Sequence, residues 1–276
     1  MARATPKADV EDNQRRLAVL IDADNAQPAI IEGLLAEVAK FGVASVKRIY
    51  GDWTSTAHSQ WKKGLLRHSL SPVQQFAYTS GKNSTDSTLI IDAMDLMYTG
   101  RFDGFCLVSS DSDFTRLAQR LREEGLMVFG FGEKKTPESF VSAFDKFVYT
   151  EVLRPDKPAP AAPPPAPAKR PSARQGPRNA PGPGARVERT APAAPAPQAL
   201  PLDLITQAIE EESYETGWAP LGPVGSYLNK VRADFDPRLY GHRKLSDLLK
   251  KNPRHFVTEE RPTPGGSSKT IYVRLA

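Results

Sequence analysis

Apolar runs alternating with stretches of helical spacing fill the first half of the chain, and this alternation limits the fold more than any other feature. Residues 17–21 are followed by 29–39, 45–50 by 58–68, and 73–78 by 84–97. Residues 105–109 then precede 114–123, and 127–131 precede 139–144. Strands and helices in strict alternation argue a parallel sheet with covering helices, so the expected class is α/β, doubly wound. About five core strands are expected, with a possible short sixth at 147–152.

In such a sheet the carboxyl ends of the strands meet along one edge, and residues far apart in sequence converge there. Five aspartates fall at those positions. Asp22 and Asp24 end the first apolar run, Asp111 and Asp113 end the fourth, and Asp86 opens the helical stretch 84–97. Convergent carboxylates without an accompanying thiolate and with few imidazoles suit a hard cation, Mg²⁺ or Mn²⁺, whose usual work on such a cluster is phosphate chemistry.

The helix entries sharpen these assignments. Asp22 is too early to cap a helix that begins near Pro28, so it is the first choice of metal ligand, whereas Asp24 suits cap and ligand equally. In Ser109-Ser110-Asp111-Ser112-Asp113-Phe114 one residue can cap the following helix; Asp113 is the expected cap, which leaves Asp111 for metal or water. Asn83 or Ser84 suits the cap of the third helix and puts Asp86 in its first turn. Asp92 lies about 120° around that helix from Asp86, so one straight helix cannot aim both at one ion. It is expected to be partly buried against a neighbouring loop, and Asp95 to be solvated. Lys82 and Trp53 sit on loops that reach the same edge, where they could hold a phosphate or stack on a base; their plain readings are a loop lysine and a core lid.

Composition fixes the organisation of the chain. Residues 155–201 hold 15 of the 25 prolines, mixed with Ala, Gly and Arg. That mixture cannot bury a core and reads as a disordered, partly polyproline linker. Four segments follow: a polar N-terminus 1–16, an α/β domain 17–153, the linker 154–201 and a small domain 202–276. The two domains are expected to tumble separately. The formal charge of +5 belongs to the linker, since residues 1–154 carry net −1 and 202–276 net +1. Neither domain is basic overall, so polyanion binding must come from local patches. No run approaches the roughly 18 apolar residues of a membrane span, and the polar start lacks a secretory h-region, so a soluble, cytoplasmic chain is expected. Cys106, the single cysteine, reads as core.

Downstream of the linker, 202–214, 221–231 and 243–250 read as short amphipathic helices, and 256–258 with 270–274 alternate around Gly265-Gly266 as a hairpin. Three helices and a hairpin make a winged helix. Arg243, Lys244, Lys250, Lys251 and Arg254 lie along its third helix and just beyond, as phosphate contacts or as a solvated or protein-docking face.

On Ile21-Asp22-Ala23-Asp24-Asn25, Tyr50-Gly51-Asp52-Trp53, Lys82-Asn83-Ser84-Thr85-Asp86, Asp92 and Ser109 to Phe114, the region 17–152 resembles the NYN domain of the PIN-like nuclease superfamily, in its LabA-related branch. The resemblance implies a metal-dependent ribonuclease with Asp22, Asp86, Asp111 and Asp113 as catalytic metal ligands and Asn25 as the accompanying polar residue. Asn25, Lys82, Trp53 and Ser110 are then candidates for substrate contact. On Leu221 to Leu228, Phe235-Asp236-Pro237-Arg238-Leu239-Tyr240-Gly241-His242 and Leu245-Ser246-Asp247-Leu248-Leu249, the region 202–276 resembles the LOTUS or OST-HTH domain. This implies RNA or, in some relatives, a protein partner; Arg243 and Lys244, from the basic run along the third helix, are the candidate contacts. The alternative is a non-catalytic RNA-binding regulator or scaffold. A phosphatase of the haloacid dehalogenase type is disfavoured, because Asn25 and Ala26 follow Asp22-Ala23-Asp24 where Thr or Val is expected.

Overall fold

A computed structural model describes residues 15–76, 84–154, 199–262 and 269–276. Lys82 and nearly all of the expected linker and N-terminal segment lie outside the described residues.

The apolar runs form six parallel strands: β1 (Arg16–Asp22), β2 (Val43–Gly51), β3 (Ser71–Gln74), β4 (Gly104–Val108), β5 (Met127–Gly132) and β6 (Lys146–Tyr149). Their order is β3-β2-β1-β4-β5-β6, which reverses direction between β1 and β4. The possible sixth strand is real, and it forms one edge.

Both faces of the sheet are covered, which explains why β1 and β4 are apolar throughout rather than alternating. Ala18, Leu20, Phe105, Leu107 and Val128 face α3 (Ser84–Tyr98), α4 (Thr115–Glu123) and α5 (Glu138–Val141). Leu17, Val19, Ile21, Cys106, Val108, Phe129 and Phe131 face α1 (Ile31–Val38) and Trp61, beside α2 (Lys62–Arg67). Each strand residue thus belongs to one of two cores by its parity. That parity also sets the site: Asp22 continues the Ala18–Leu20 series, and Ser109 the Phe105–Leu107 series, so both face α3.

The second domain contains α6 (Leu202–Glu211), α7 (Leu221–Val231) and α8 (Leu245–Lys250), followed by the strands β8 (Phe256–Pro262) and β9 (Lys269–Leu275). Its apolar stripes Ile205-Ala208-Ile209 and Val224-Leu228 recur at three and four residues and meet Leu248, Leu249, Phe256 and Val273 in one core. A two-residue strand, β7 (Ala219–Pro220), pairs with β9 and makes the hairpin a three-stranded sheet of order β7-β9-β8. So short a strand carries no periodicity to read.

The expectation of separate tumbling is corrected by contacts between the domains. The edge strand β6 would leave backbone groups unpaired, and the amide of Phe147 donates instead to the carbonyl of Ala233 (2.9 Å). Lys146 Nζ donates to Asn229 Oδ1 and to the carbonyl of Phe235 (2.8 Å). Tyr149 OH donates to Asp234 Oδ2 (2.9 Å). Arg238 grips Asp236 (2.6 Å) and reaches Glu37 on α1 (2.9 Å). Burial lowers the pKa of Lys146, opposed by the nearby charge of Asp236. Burial would raise Asp236, but its hydrogen bonds and charge pairing with Arg238 outweigh that and hold it below the ordinary carboxylate range.

Because Lys146 satisfies two acceptors on the second domain, Lys146→Met leaves partly buried oxygens without a donor, at a cost of about 1–3 kcal/mol. Thermal unfolding should then lose cooperativity between the domains and resolve two transitions. A single transition at the wild-type temperature would show that the contact does not couple them.

Candidate metal centre

The crevice lies where the strand order reverses between β1 and β4, the position at which open α/β sheets bind ligands outside the carboxyl ends of their strands. Ile21 pairs with Val108, so Asp22 and Ser109 leave the sheet side by side.

Asp22 is fully buried, and its carboxylate is held from three sides. Ser109 Oγ (2.9 Å) and Asn25 Nδ2 (2.7 Å) donate to Oδ2, and the Asp24 amide donates to Oδ1 (3.0 Å). Burial raises its pKa, and these hydrogen bonds pull the other way. Asn25, expected at the substrate, is thus engaged with Asp22. Ser109 Oγ also accepts from the Asp111 amide (3.0 Å), so one hydroxyl links the ends of β1 and β4. Reading the sequence missed Ser109; strand parity, counted from Phe105, was the signal that could have found it. Gly132 lets β5 approach this turn, since a Cβ there would stand 2.7 Å from the Ser109 carbonyl.

Asp111, not Asp113, is the cap. The chain enters α4 through a 3₁₀ turn, Ser112–Phe114, and Asp111 Oδ1 accepts from the Asp113 amide (2.9 Å). The extra turn starts the helical backbone early and moves the cap back by two residues. Asp111 therefore has a structural duty as well, and Asp113 lies exposed in the first turn. Ser110, expected at the substrate, accepts from the Glu133 amide (2.8 Å) and ties this turn to the end of β5.

Asp86 sits in the first turn of α3, as expected. It precedes the buried Leu89 and Ala93 by three and seven residues, so it tops the stripe that faces the sheet. Asp92 anchors the helix: Arg48 and Tyr50 of β2 both donate to its carboxylate. Its partner is a strand, not the expected loop. Burial and the Asp92 hydrogen bond push the Tyr50 hydroxyl well above its ordinary range.

Oxygens of Asp86, Asp111 and Asp113 lie within 4.8 Å of one another, a grouping that could hold a metal ion. Asp22, the first-choice ligand, falls outside that trio but is coupled to it. The pKa of Asp86 is raised to about 6 by burial first, and then by the charges of Asp22, Asp111, Asp113 and Asp24.

Two further side chains border the crevice. The buried ring of His58 spans Asp24 Oδ1 (3.1 Å from Nε2) and the Asp52 carbonyl (3.1 Å from Nδ1). Trp53, expected as a stacking aromatic, is half-buried: its Nε1 donates to the Val73 carbonyl (3.0 Å) and its ring tilts onto His58. On the second domain Arg243 and Lys244 are exposed in the turn that enters α8, whereas Lys250, within α8, pairs with Glu260 (2.9 Å).

A raised carboxylate pKa means the folded chain binds the proton more tightly than the unfolded chain. The stability this gives is complete below the unfolded pKa near 4 and is lost as pH rises through about 6. In EDTA at pH 7.5, Asp86→Asn should stabilise the protein by on the order of 1 kcal/mol after solvent screening. The gain should shrink as pH falls through 6 and be gone only below the unfolded pKa, by about pH 3, as read by denaturant unfolding. An equal gain at both pH values would show that Asp86 carries no such strain.

Two family models match the chain in order. Residues 16–151 match the NYN domain family and residues 197–268 the OST-HTH/LOTUS domain family. Among solved structures, an uncharacterized protein of Nitrosomonas europaea is 46% identical over 33% of this chain and 89% of its own (TM-score 0.28). A protein from Chromobacterium violaceum is 38% identical over 29% and 83% (TM-score 0.24). One of unknown function from Vibrio parahaemolyticus is 17% identical over 51% and 95% (TM-score 0.41). No curated protein matches the chain significantly. With six parallel strands, a carboxylate crevice at the strand reversal and a three-helix winged module, the chain joins an NYN domain of PIN-like nuclease fold to an OST-HTH/LOTUS domain.

Proposed function

We propose that the protein is a divalent-metal-dependent ribonuclease that hydrolyses RNA phosphodiesters in the crevice, with the OST-HTH/LOTUS domain holding RNA. The approach of the Asp86, Asp111 and Asp113 oxygens to within 4.8 Å carries this reading. The donors fit the group: all are carboxylate oxygens, the set preferred by Mg²⁺ and Mn²⁺, and burial together with the neighbouring carboxylates raises the pKa of Asp86.

Asp86, Asp111 and Asp113 would hold the ion, with Asp22 beneath them as a further ligand or through water. A bound divalent ion supplies an activated water and offsets charge on the scissile phosphate. The chain itself supplies orientation. Asn25 and Ser109 fix the rotamer of Asp22, and the Asp113 amide fixes that of Asp111 through one carboxylate oxygen. Arg48 and Tyr50 act through Asp92 to hold α3, and so Asp86, in place. Lys82, outside the described residues, is proposed for a flanking phosphate. Arg243 and Lys244 are proposed for RNA phosphates on the second domain, and residues 154–201 serve as the linker between the two.

Incubation of the full chain with labelled single-stranded and structured RNA tests this reading. Cleavage should require Mn²⁺ or Mg²⁺ and stop in EDTA. Asp22→Asn, Asp86→Asn and Asp111→Asn should each abolish it with circular dichroism unchanged. Asn25→Ala and Ser109→Ala, which act on a ligand through its hydrogen bonds, should lower metal affinity or rate roughly 10–100-fold. Cleavage that persists in EDTA, or in the Asp86→Asn protein, refutes the assignment; binding without cleavage by the wild type returns the chain to the class of RNA-binding regulators.

A further inference from the structure

The sheet of the second domain has two faces, and its strand register separates them. Phe256, Thr258 and Glu260 stand opposite Leu275, Val273 and Ile271, and the Phe256–Val273 side enters the core. The other parity turns outward: Val257 opposite Arg274, Glu259 opposite Tyr272, and Arg261 opposite Thr270. On the far side of β9, Pro220 stands opposite Tyr272, which brings the neighbouring Trp218 onto the same outward face.

These residues are stacked, not merely close. The Arg261 guanidinium lies over the Trp218 ring (4.6 Å to its centroid) and over the Tyr272 ring (4.9 Å). The Arg274 guanidinium lies over Trp218 as well (4.9 Å). Arg274 is exposed, and Trp218, Tyr272 and Arg261 are partly exposed. One carboxylate, Glu259, shares the face and pairs with Arg261 (3.0 Å). Two cations against one anion leave the patch positive, although the domain as a whole is nearly neutral.

Planar guanidiniums and aromatic rings at one surface fit the two parts of a single-stranded nucleic acid: bases stack on π faces and on guanidinium planes, and phosphates pair with the cations. An acidic protein would use the charge but not the stacked planes. We propose that this outward β7-β9-β8 face binds single-stranded RNA, with bases stacking on Tyr272 and on the guanidiniums layered against Trp218. The proposal rests on the reading that the second domain holds RNA, and it adds a base-stacking surface distinct from the phosphate contacts at Arg243 and Lys244.

The test uses the full chain in EDTA with a labelled eight-nucleotide uridylate, its adenylate counterpart and an abasic strand of equal length, read by anisotropy. The wild type should bind both base-bearing strands more tightly than the abasic one. Tyr272→Ser, and the double variant Arg261→Lys with Arg274→Lys, should each weaken binding of the base-bearing strands roughly tenfold and leave abasic binding nearly unchanged. The double variant keeps both charges, so it decides the matter if Tyr272→Ser unfolds. Arg243→Ala with Lys244→Ala should instead weaken all three strands together and flatten the salt dependence by about one unit per lost contact. Wild-type binding that is indifferent to the bases, or to the face variants, overturns this proposal alone. A wild type that binds none of the strands at low salt overturns the RNA reading of the domain as well.

Discussion

A carboxylate removed from water must be hydrogen-bonded, paired or protonated, and Asp22 meets this constraint at the end of β1, next to the strand reversal. The strand order reverses there, so the chains leaving β1 and β4 diverge and the side chains of Asp22 and Ser109 are left between them. Three donors from two segments then hold one carboxylate. The same Ser109 hydroxyl accepts from the Asp111 amide, so the turn carrying Asp111 and Asp113 is built upon the group that satisfies Asp22. Position, charge and loop conformation of the crevice are therefore not separable.

What made the α/β domain legible was double burial. Strands covered on both faces are apolar throughout, and those runs stood out against polar helix entries. The aspartates ending them were legible for the same reason, as the first polar residues after a buried run. Asp111 was misjudged because a 3₁₀ turn of three residues has no pattern of its own, and without it the helix appears to begin two residues later. The angle of Asp92 around α3 set it apart from Asp86, but its partners Arg48 and Tyr50 lie more than 40 residues away, and no local rule ranks such pairings. Ser109 was overlooked because a hydroxyl at the end of a strand is common. Only its register opposite Asp22 gives it meaning.

The joint between the domains was illegible for a related reason. Phe235-Asp236-Pro237-Arg238 reads as a turn motif within the second domain, and Asp236 does cap the 3₁₀ turn that follows. Yet Arg238 has more donors than that cap requires, and its remaining arm reaches Glu37. Glu37 is itself buried on an otherwise apolar helix face, which is tolerable because two cations, Lys40 and Arg238, meet it. The edge strand β6 closes the argument: an unpaired parallel edge is a liability, and the Ala233 carbonyl removes part of it.

Polarity in this molecule is thus spent at two edges of one sheet, with opposite consequences. Along β6 the Lys146 ammonium, the Phe147 amide and the Tyr149 hydroxyl each donate across to the second domain, which fixes two domains against each other. At the carboxyl ends of β1 and β4 the charges are alike: burial first, and then the charges of Asp22, Asp111, Asp113 and Asp24, raise the pKa of Asp86 to about 6. Folding alone does not relieve that repulsion, because parity fixes Asp22, the 3₁₀ turn fixes Asp111 and the Asp92 anchor fixes the helix that carries Asp86. Burial and like charge thus act together on Asp86, at a helix end held in place from β2. The rigid sheet edge therefore keeps Asp86 close to Asp111 and Asp113, where burial and like charge disfavour its ionisation and rearrangement cannot relieve it.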